Sequence, residues 1–218
     1  MSEQNQATLE VYQKTAQRYM ENTITHDNLD PAKAEQKRRR LENFLAESFA
    51  TLPDNADVFE IGAADGQNSR YLSSLGFNVM ATDVADAFLQ EMAAHKMKIM
   101  KFNALTDDFP QRYSGVLAWR VFVHFTPDDA RVVMRKVHVA LKDGGRFVFN
   151  AINREFKDVD EEWADFPGEY KMNAERFFHY YRKDELEKIA TDASFKIVNF
   201  HFEGGETGKK WLVFVVEK

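Results

Sequence analysis

Cysteine is absent from the 218-residue chain. That absence excludes thiol nucleophiles, disulfide scaffolds, cysteine-ligated zinc and iron–sulfur clusters. Long hydrophobic runs are missing too. No stretch approaches the ~20 apolar residues of a spanning helix, and no membrane association is expected. The opening, Met1 to Gln6, is polar and lacks the basic-then-apolar pattern of a secretory leader, so a cytoplasmic location is expected. Basic charge is in deficit: 29 Lys+Arg against 35 Asp+Glu leave a formal charge of −6. A protein that wraps nucleic acid needs a basic surface, so no nucleic-acid partner is expected. His26, His95, His138, His179 and His201 are scattered without metal-ligand spacing, and no metal is expected. Repeats and low-complexity tracts are absent.

What is present is ordinary for a soluble globular chain, with 44% hydrophobic and 29% charged residues. At ~100–200 residues per domain, the length allows one domain with an appended lid. The first fifty residues read as helical. Val11, Thr15 and Tyr19, then Leu41, Phe44, Leu45, Phe49 and Leu52, recur at three- and four-residue spacings. Asp30-Pro31 supplies a cap and a first-turn proline for the second helix. Lys37-Arg38-Arg39-Arg40 lies beside that apolar stripe, and a solvated helix face is the stronger reading.

From Ala56 strands and helices alternate. Strands are expected at 58–61, 77–82, 99–102, 115–119 and 146–150, separated by helices to Leu75, over 85–97 and over 127–141. Alternation of this kind implies parallel strands with helical crossovers, hence a doubly wound α/β sheet. A helix over 183–193 and two strands, 195–202 and 210–216, close the chain. The glycine-rich link Glu203 to Gly208 makes these a hairpin, so the last strand is expected antiparallel. The resulting parts are a helical amino-terminal cap (1–52), a ligand-binding core (56–152), a lid (153–181) and a final helix with hairpin (182–218).

Ligands of an open parallel sheet sit at the carboxyl ends of its strands. Those ends carry Glu60 with Gly62 and Gly66, then Asp83, Asn103, Trp119-Arg120 and Asn150. The G-x-x-x-G spacing matches neither a dinucleotide fingerprint nor a P-loop. Asp83 stands about twenty residues on, where an acid can bind both ribose hydroxyls; a helix cap before Ala85 is the alternative.

Together these residues resemble a known family. Val58 to Gly66 (V-F-E-I-G-A-A-D-G) resembles motif I of the class I S-adenosylmethionine-dependent methyltransferases. Met80 to Asp83 resembles their second motif and Lys101 to Leu105 their third. Val121 to Phe125, with Val137 to Phe149, resembles the stretch after the fourth strand and the turn into the fifth. The likeness covers roughly residues 56–218, and more loosely the amino-terminal helices. It departs at Ala64, which stands for the family's middle glycine, and at Asn103, which stands for its third-strand aspartate. The resemblance implies a seven-stranded, mostly parallel Rossmann-like sheet and S-adenosylmethionine as cofactor. It implies that Glu60 holds the methionine ammonium, that Gly62, Ala64 and Gly66 admit the ligand, and that Asp83 grips the ribose. Asn103 and Ala104 would read the adenine edge, and Arg120 would line the methionine end. Tyr19 is a candidate to close the pocket, with Tyr12, from the amino-terminal helices.

Methyl transfer is an in-line displacement, so the protein mainly aligns the acceptor, excludes water and, if needed, removes a proton. His124, just past the fourth strand, is the candidate base; packing before Thr126-Pro127 is the alternative. Residues 153–181 hold eight aromatics, Phe156, Trp163, Phe166, Tyr170, Phe177, Phe178, Tyr180 and Tyr181, and eight acids against four Lys+Arg. Long insertions at this edge are usually functional lids. Trp119, Trp163, Tyr180 and Tyr181 are candidate substrate contacts. The expected function is methyl transfer to a small molecule, at N or O rather than C, by a monomer or homodimer. The rivals are an RNA or protein methyltransferase, a nucleotide-binding oxidoreductase and a non-catalytic S-adenosylmethionine-binding protein.

Overall fold

The computed structural model describes residues 1–25, 31–165, 173–204 and 209–218. The expectations placed on His26, Asp30, Phe166, Tyr170 and the link 205–208 lie outside the described residues. Two helices come first, α1 (Glu3–Thr25) and α2 (Pro31–Phe49). Then β1 (Asp57–Ile61), α3 (Gln67–Ser74), β2 (Asn78–Asp83), α4 (Asp86–Ala94), β3 (Ile99–Lys101) and β4 (Tyr113–Ala118) alternate. A 3₁₀ turn at Phe122–His124 leads into α5 (Pro127–Ala140) and β5 (Leu141–Asn153). The chain ends with β6 (Glu161–Ala164), β7 (Arg176–Tyr181), α6 (Lys183–Asp192), β8 (Lys196–Glu203) and β9 (Trp211–Glu217).

The strands β3-β2-β1-β4-β5 run parallel in that order. Beyond β5, β9 runs antiparallel, and β8 pairs antiparallel with β9. These are the seven expected strands. The lid adds two more that the sequence did not suggest, because β6 and β7 form an antiparallel hairpin of their own.

Period-two alternation sorts the core into layers. Val58, Val79, Leu117, Val148 and Val215 point to one face, under Leu45 and Phe49 of α2 and Leu72 of α3. Phe59, Val116, Ala118, Phe147, Phe149 and Phe214 point to the other, under Val133 and Val137 of α5 and Leu186 and Ile189 of α6. Each side chain of this size contributes about 1.5–3 kcal/mol by leaving water. Helix α5 starts cleanly because Thr126 caps it, accepting from the Asp129 amide, and Pro127 needs no donor there. The basic run of α2 is solvated and paired along the helix, with Arg38 and Arg39 on Glu35.

Helix α1 lies over the carboxyl end of the sheet. Its inward stripe is Asn5, Thr8, Tyr12, Ala16 and Tyr19. Asn5, Thr8 and Ala16 are buried, while Tyr12 and Tyr19 pack on Phe88 of α4. The expected stripe of Val11, Thr15 and Tyr19 was rotated from this one, because Asn5 and Thr8 are polar and apolar periodicity does not see them. They bury by bonding. The Asn5 amide donates to the His124 carbonyl, and the Thr8 hydroxyl accepts from the Phe177 amide at 3.0 Å.

Strand β7 is the other element that shapes this edge. At Ile152, one edge of β5 is taken by Trp211 of β9, and Tyr180 of β7 pairs at the same residue. A strand has two edges, so β7 occupies the one that β4 uses lower down. It therefore continues the sheet where β4 stops, directly above the turn that holds His124.

Candidate active site

The glycine loop joins β1 to α3. Gly62 has φ +67°, and a Cβ on it would lie 2.7 Å from Cγ2 of Val121. Gly66 has φ +75°, and its Cβ would meet the Met97 methyl at 2.7 Å. Both positions require glycine on two counts, backbone conformation and space. Ala64 between them also adopts φ +49°, a conformation that costs an alanine roughly 1 kcal/mol or more.

Two carboxylates hold this loop. Glu60 is 1% exposed. Its Oε1 accepts from the Asn68 side chain at 3.0 Å, and its Oε2 accepts from the Ser69 hydroxyl. Asp83 accepts from the Val84 and Ala85 amides on Oδ1 and from the Ala64 amide on Oδ2, at 2.8, 3.0 and 3.0 Å. A carboxylate offers about four lone-pair sites, so Glu60 keeps two and Asp83 keeps one. No Lys or Arg pairs with either among the described residues. Burial pushes Asp83 up, and it pushes Glu60 up to about 7, with Asp65 and Asp83 adding repulsion. Buried anions with spare lone pairs and no cation are an incomplete arrangement. A ligand with hydroxyls and an ammonium completes it, so these residues fit S-adenosylmethionine.

The neighbouring strand ends are partly committed to their own turns. Asn103 Oδ1 accepts from the Leu105 amide at 3.0 Å, and its amide nitrogen points at Met1 Sδ. Ala104 is buried in the main core. Arg120 has φ +62° and donates its backbone N–H to Asn150 Oδ1 at 2.6 Å. Its guanidinium lies over the Trp211 ring, 5.4 Å from the centroid. Tyr19 packs with Ala64, Ala85 and Phe88, beside the Asp83 end of the loop.

The substrate-contact expectations separate. Trp119 is not on the lid side. It packs on Phe44 beneath α2, because it shares the β4 face with Leu117. Tyr180 and Tyr181 are completely enclosed. Consecutive strand residues face opposite ways, and here both faces are covered. The Tyr181 hydroxyl donates to the Phe125 carbonyl at 2.7 Å, and the Tyr180 hydroxyl donates to Glu162. The ring faces expected to meet an acceptor are thus spent on packing. Trp163 differs: it is 45% exposed and rests edge-on against Phe177, with centroids 5.8 Å apart.

His124 is buried, and both ring nitrogens are occupied. Nδ1 lies 2.7 Å from the Phe177 carbonyl, which can only accept, so Nδ1 carries the proton. Nε2 then accepts from the Tyr12 hydroxyl at 2.9 Å. Burial pulls the imidazole down to about 3, against the stabilising Phe177 carbonyl and with added repulsion from Arg176. It is a neutral ring with a fixed tautomer, and it reaches an acceptor through Tyr12 rather than directly. Arg176 completes the cluster, donating Nη1 to the Tyr12 oxygen at 3.0 Å. Sequence reasoning missed Arg176 because it lies among the lid's acids, with no spacing that marks it. Asn68 and Ser69, the partners of Glu60, were also missed; their place two and three residues after Gly66, in the first turn of α3, was the available signal.

A family profile described as a methyltransferase domain matches residues 34–199. No curated protein matches the sequence. Among solved structures, an S-adenosylmethionine-dependent methyltransferase from Clostridium acetobutylicum ATCC 824 is similar at TM-score 0.70 and 14% identity. The likeness covers 91% of this chain and 98% of that one. Magnesium protoporphyrin IX methyltransferase from Synechocystis PCC 6803, with bound cofactor, gives TM-score 0.71 at 12% identity, over 100% of this chain and 98% of that one. The glycopeptide N-methyltransferase MtfA gives 0.62 at 15%, over 80% and 89%. The profile spans well over half of the chain, from α2 into β8, and takes in the loop, both carboxylates and the turn after β4. The chain therefore belongs to the methyltransferase-domain family, and its fold is that of S-adenosylmethionine-dependent methyltransferases.

Proposed function

We propose that the protein transfers a methyl group from S-adenosylmethionine to a small-molecule acceptor, at nitrogen or oxygen rather than carbon. One observation carries the cofactor half of this reading. Glu60 and Asp83 are buried carboxylates with unused lone pairs, flanking a glycine loop that admits close backbone approach. In the reading, Glu60 takes the ammonium, Asp83 the ribose hydroxyls, Asn103 and the Ala104 backbone the adenine edge, and Tyr19 closes the loop from α1. Arg120 borders the methionine end. Bound S-adenosylmethionine supplies a methyl carbon already activated by its sulfonium. The chain's own contributions are alignment of the acceptor, exclusion of water by α1 and the β6–β7 lid, and a Tyr12 hydroxyl held in place by His124 and Arg176.

The net charge of −6 supports a small acceptor over RNA. No described helix is long and apolar enough to cross a membrane. A cytoplasmic monomer or homodimer belongs to the same reading. The test is transfer from labelled S-adenosylmethionine to small-metabolite pools, bulk RNA and cell protein. Label in the metabolite fraction supports the proposal. Label confined to RNA or protein overturns it, and cofactor binding with no transfer to any pool makes the protein a non-catalytic binder.

A further inference from the structure

Arg176 carries a buried positive charge that no described carboxylate answers. The residue is 3% exposed. One donor, Nη1, bonds the Tyr12 oxygen, and Nε has no hydrogen-bond partner. No carboxylate pairs with the guanidinium among the described residues. Its guanidinium carbon lies over the Tyr12 and Phe178 rings, 5.5 and 5.3 Å from their centroids. Removing a guanidinium from water is costly unless an anion answers it. A guanidinium is a planar fork that fits a carboxylate at two points.

Its position narrows the choice of anion. Arg176 opens β7, the strand that continues the sheet above the end of β4, and it touches α1 through Tyr12. Helix α1 lies outside the matched family region of residues 34–199. The carboxylates given to the cofactor, Glu60 and Asp83, stand at the ends of β1 and β2, whereas Arg176 stands over the turn after β4, joined through Tyr12 to His124, so its anion is assigned to the acceptor. The aromatic walls select an apolar, ring-sized body behind the charge.

We propose that Arg176, clamped between Tyr12 and Phe178, binds a carboxylate of the methyl acceptor, so that the substrate is a small acid with an apolar or aromatic body. The proposal rests on the small-molecule reading above. Its test uses the full chain saturated with S-adenosylhomocysteine, titrated calorimetrically with benzoate and with benzamide, which has the same shape without the charge. Benzoate is expected to bind roughly tenfold or more tighter than benzamide, the usual worth of hydrogen bonds to a charged group. Arg176→Gln should erase that preference while S-adenosylhomocysteine affinity stays within about twofold of the native protein. Should that variant fail to fold, Arg176→Lys keeps the charge, loses the fork and should lose most of the preference. Equal binding of the two probes, or no benzoate binding, overturns the subsite. A fall in S-adenosylhomocysteine affinity with the benzoate preference intact gives Arg176 to the cofactor's own carboxylate and also overturns it. A clear benzoate preference supports the subsite even if no small-molecule pool accepts methyl, in which case only the catalytic reading fails.

Discussion

Tyr12 donates its hydroxyl to Nε2 of His124 across 2.9 Å, and this bond ties helix α1 to the turn after β4. Its direction follows from the far side of the ring, where Nδ1 must donate to the Phe177 carbonyl. If the acceptor sheds a proton during transfer, the two residues act as one unit. His124→Ala should then lower turnover by about 10²–10⁴-fold. Tyr12→Phe should lower it by a similar factor, and the double variant should be little worse than either. Cofactor affinity should barely change. Near-native turnover in both single variants assigns the pair to packing and leaves catalysis to alignment.

The same burial makes stability sensitive to acid. His124 is held at about 3 when folded, well below its ordinary 6.5. A depressed folded value contributes stability that is complete above pH 6.5 and is lost as pH falls toward 3. The full span is on the order of 5 kcal/mol. Urea unfolding between pH 7 and pH 5 should show stability dropping with acidity, and His124→Asn should flatten the slope. A signal assigned to the His124 imidazole that titrates near pH 6.5 in the folded protein contradicts this account.

Glu60 has the opposite sign. Its folded value of about 7 lies above the ordinary 4.5, so its contribution is complete below pH 4.5 and is lost as pH rises through 7. The unliganded protein forfeits about 3 kcal/mol across that window. Glu60→Gln should therefore raise the melting temperature of the ligand-free protein at pH 8. The same substitution should weaken S-adenosylmethionine binding, because the charge proposed to face the ammonium is gone. A variant unchanged in both measurements removes Glu60 from the site.

Asp83→Asn keeps an oxygen for the Val84 and Ala85 amides and discards the charge beside the loop. Cofactor binding should weaken by about 1–3 kcal/mol, the range for losing hydrogen bonds to a charged group. Calorimetry with S-adenosylhomocysteine measures it, and native affinity in a folded variant excludes Asp83 from ribose binding.

Gly62→Ala meets two separate penalties, positive φ and a contact at 2.7 Å with Val121. The expected loss is about 1–3 kcal/mol of stability. Adding Val121→Ala should recover the steric share and leave roughly 1 kcal/mol of backbone strain. Additive losses in the double variant rule out the contact as a cause.

The order of strands and helices from β1 to β5 was legible in the chain because period-two and period-3.6 apolar patterns follow local burial. The loop from Glu60 to Gly66 and the acid at Asp83 were legible because a strand-to-helix turn places its residues at the sheet edge whatever surrounds it. The register of α1 was not, since Asn5 and Thr8 bury through hydrogen bonds to residues more than a hundred positions away. Tyr180 and Tyr181 looked like lid rings, but β7 joins β5 above β4, and the elements packed on its two faces enclose both rings, with Tyr181 bonded to the Phe125 carbonyl and Tyr180 to Glu162. Local chemistry determined the fold class and the cofactor edge. Only the tertiary structure brought Tyr12, His124 and Arg176 together from three distant segments, because a cluster assembled by strand pairing and helix docking leaves no spacing in the sequence.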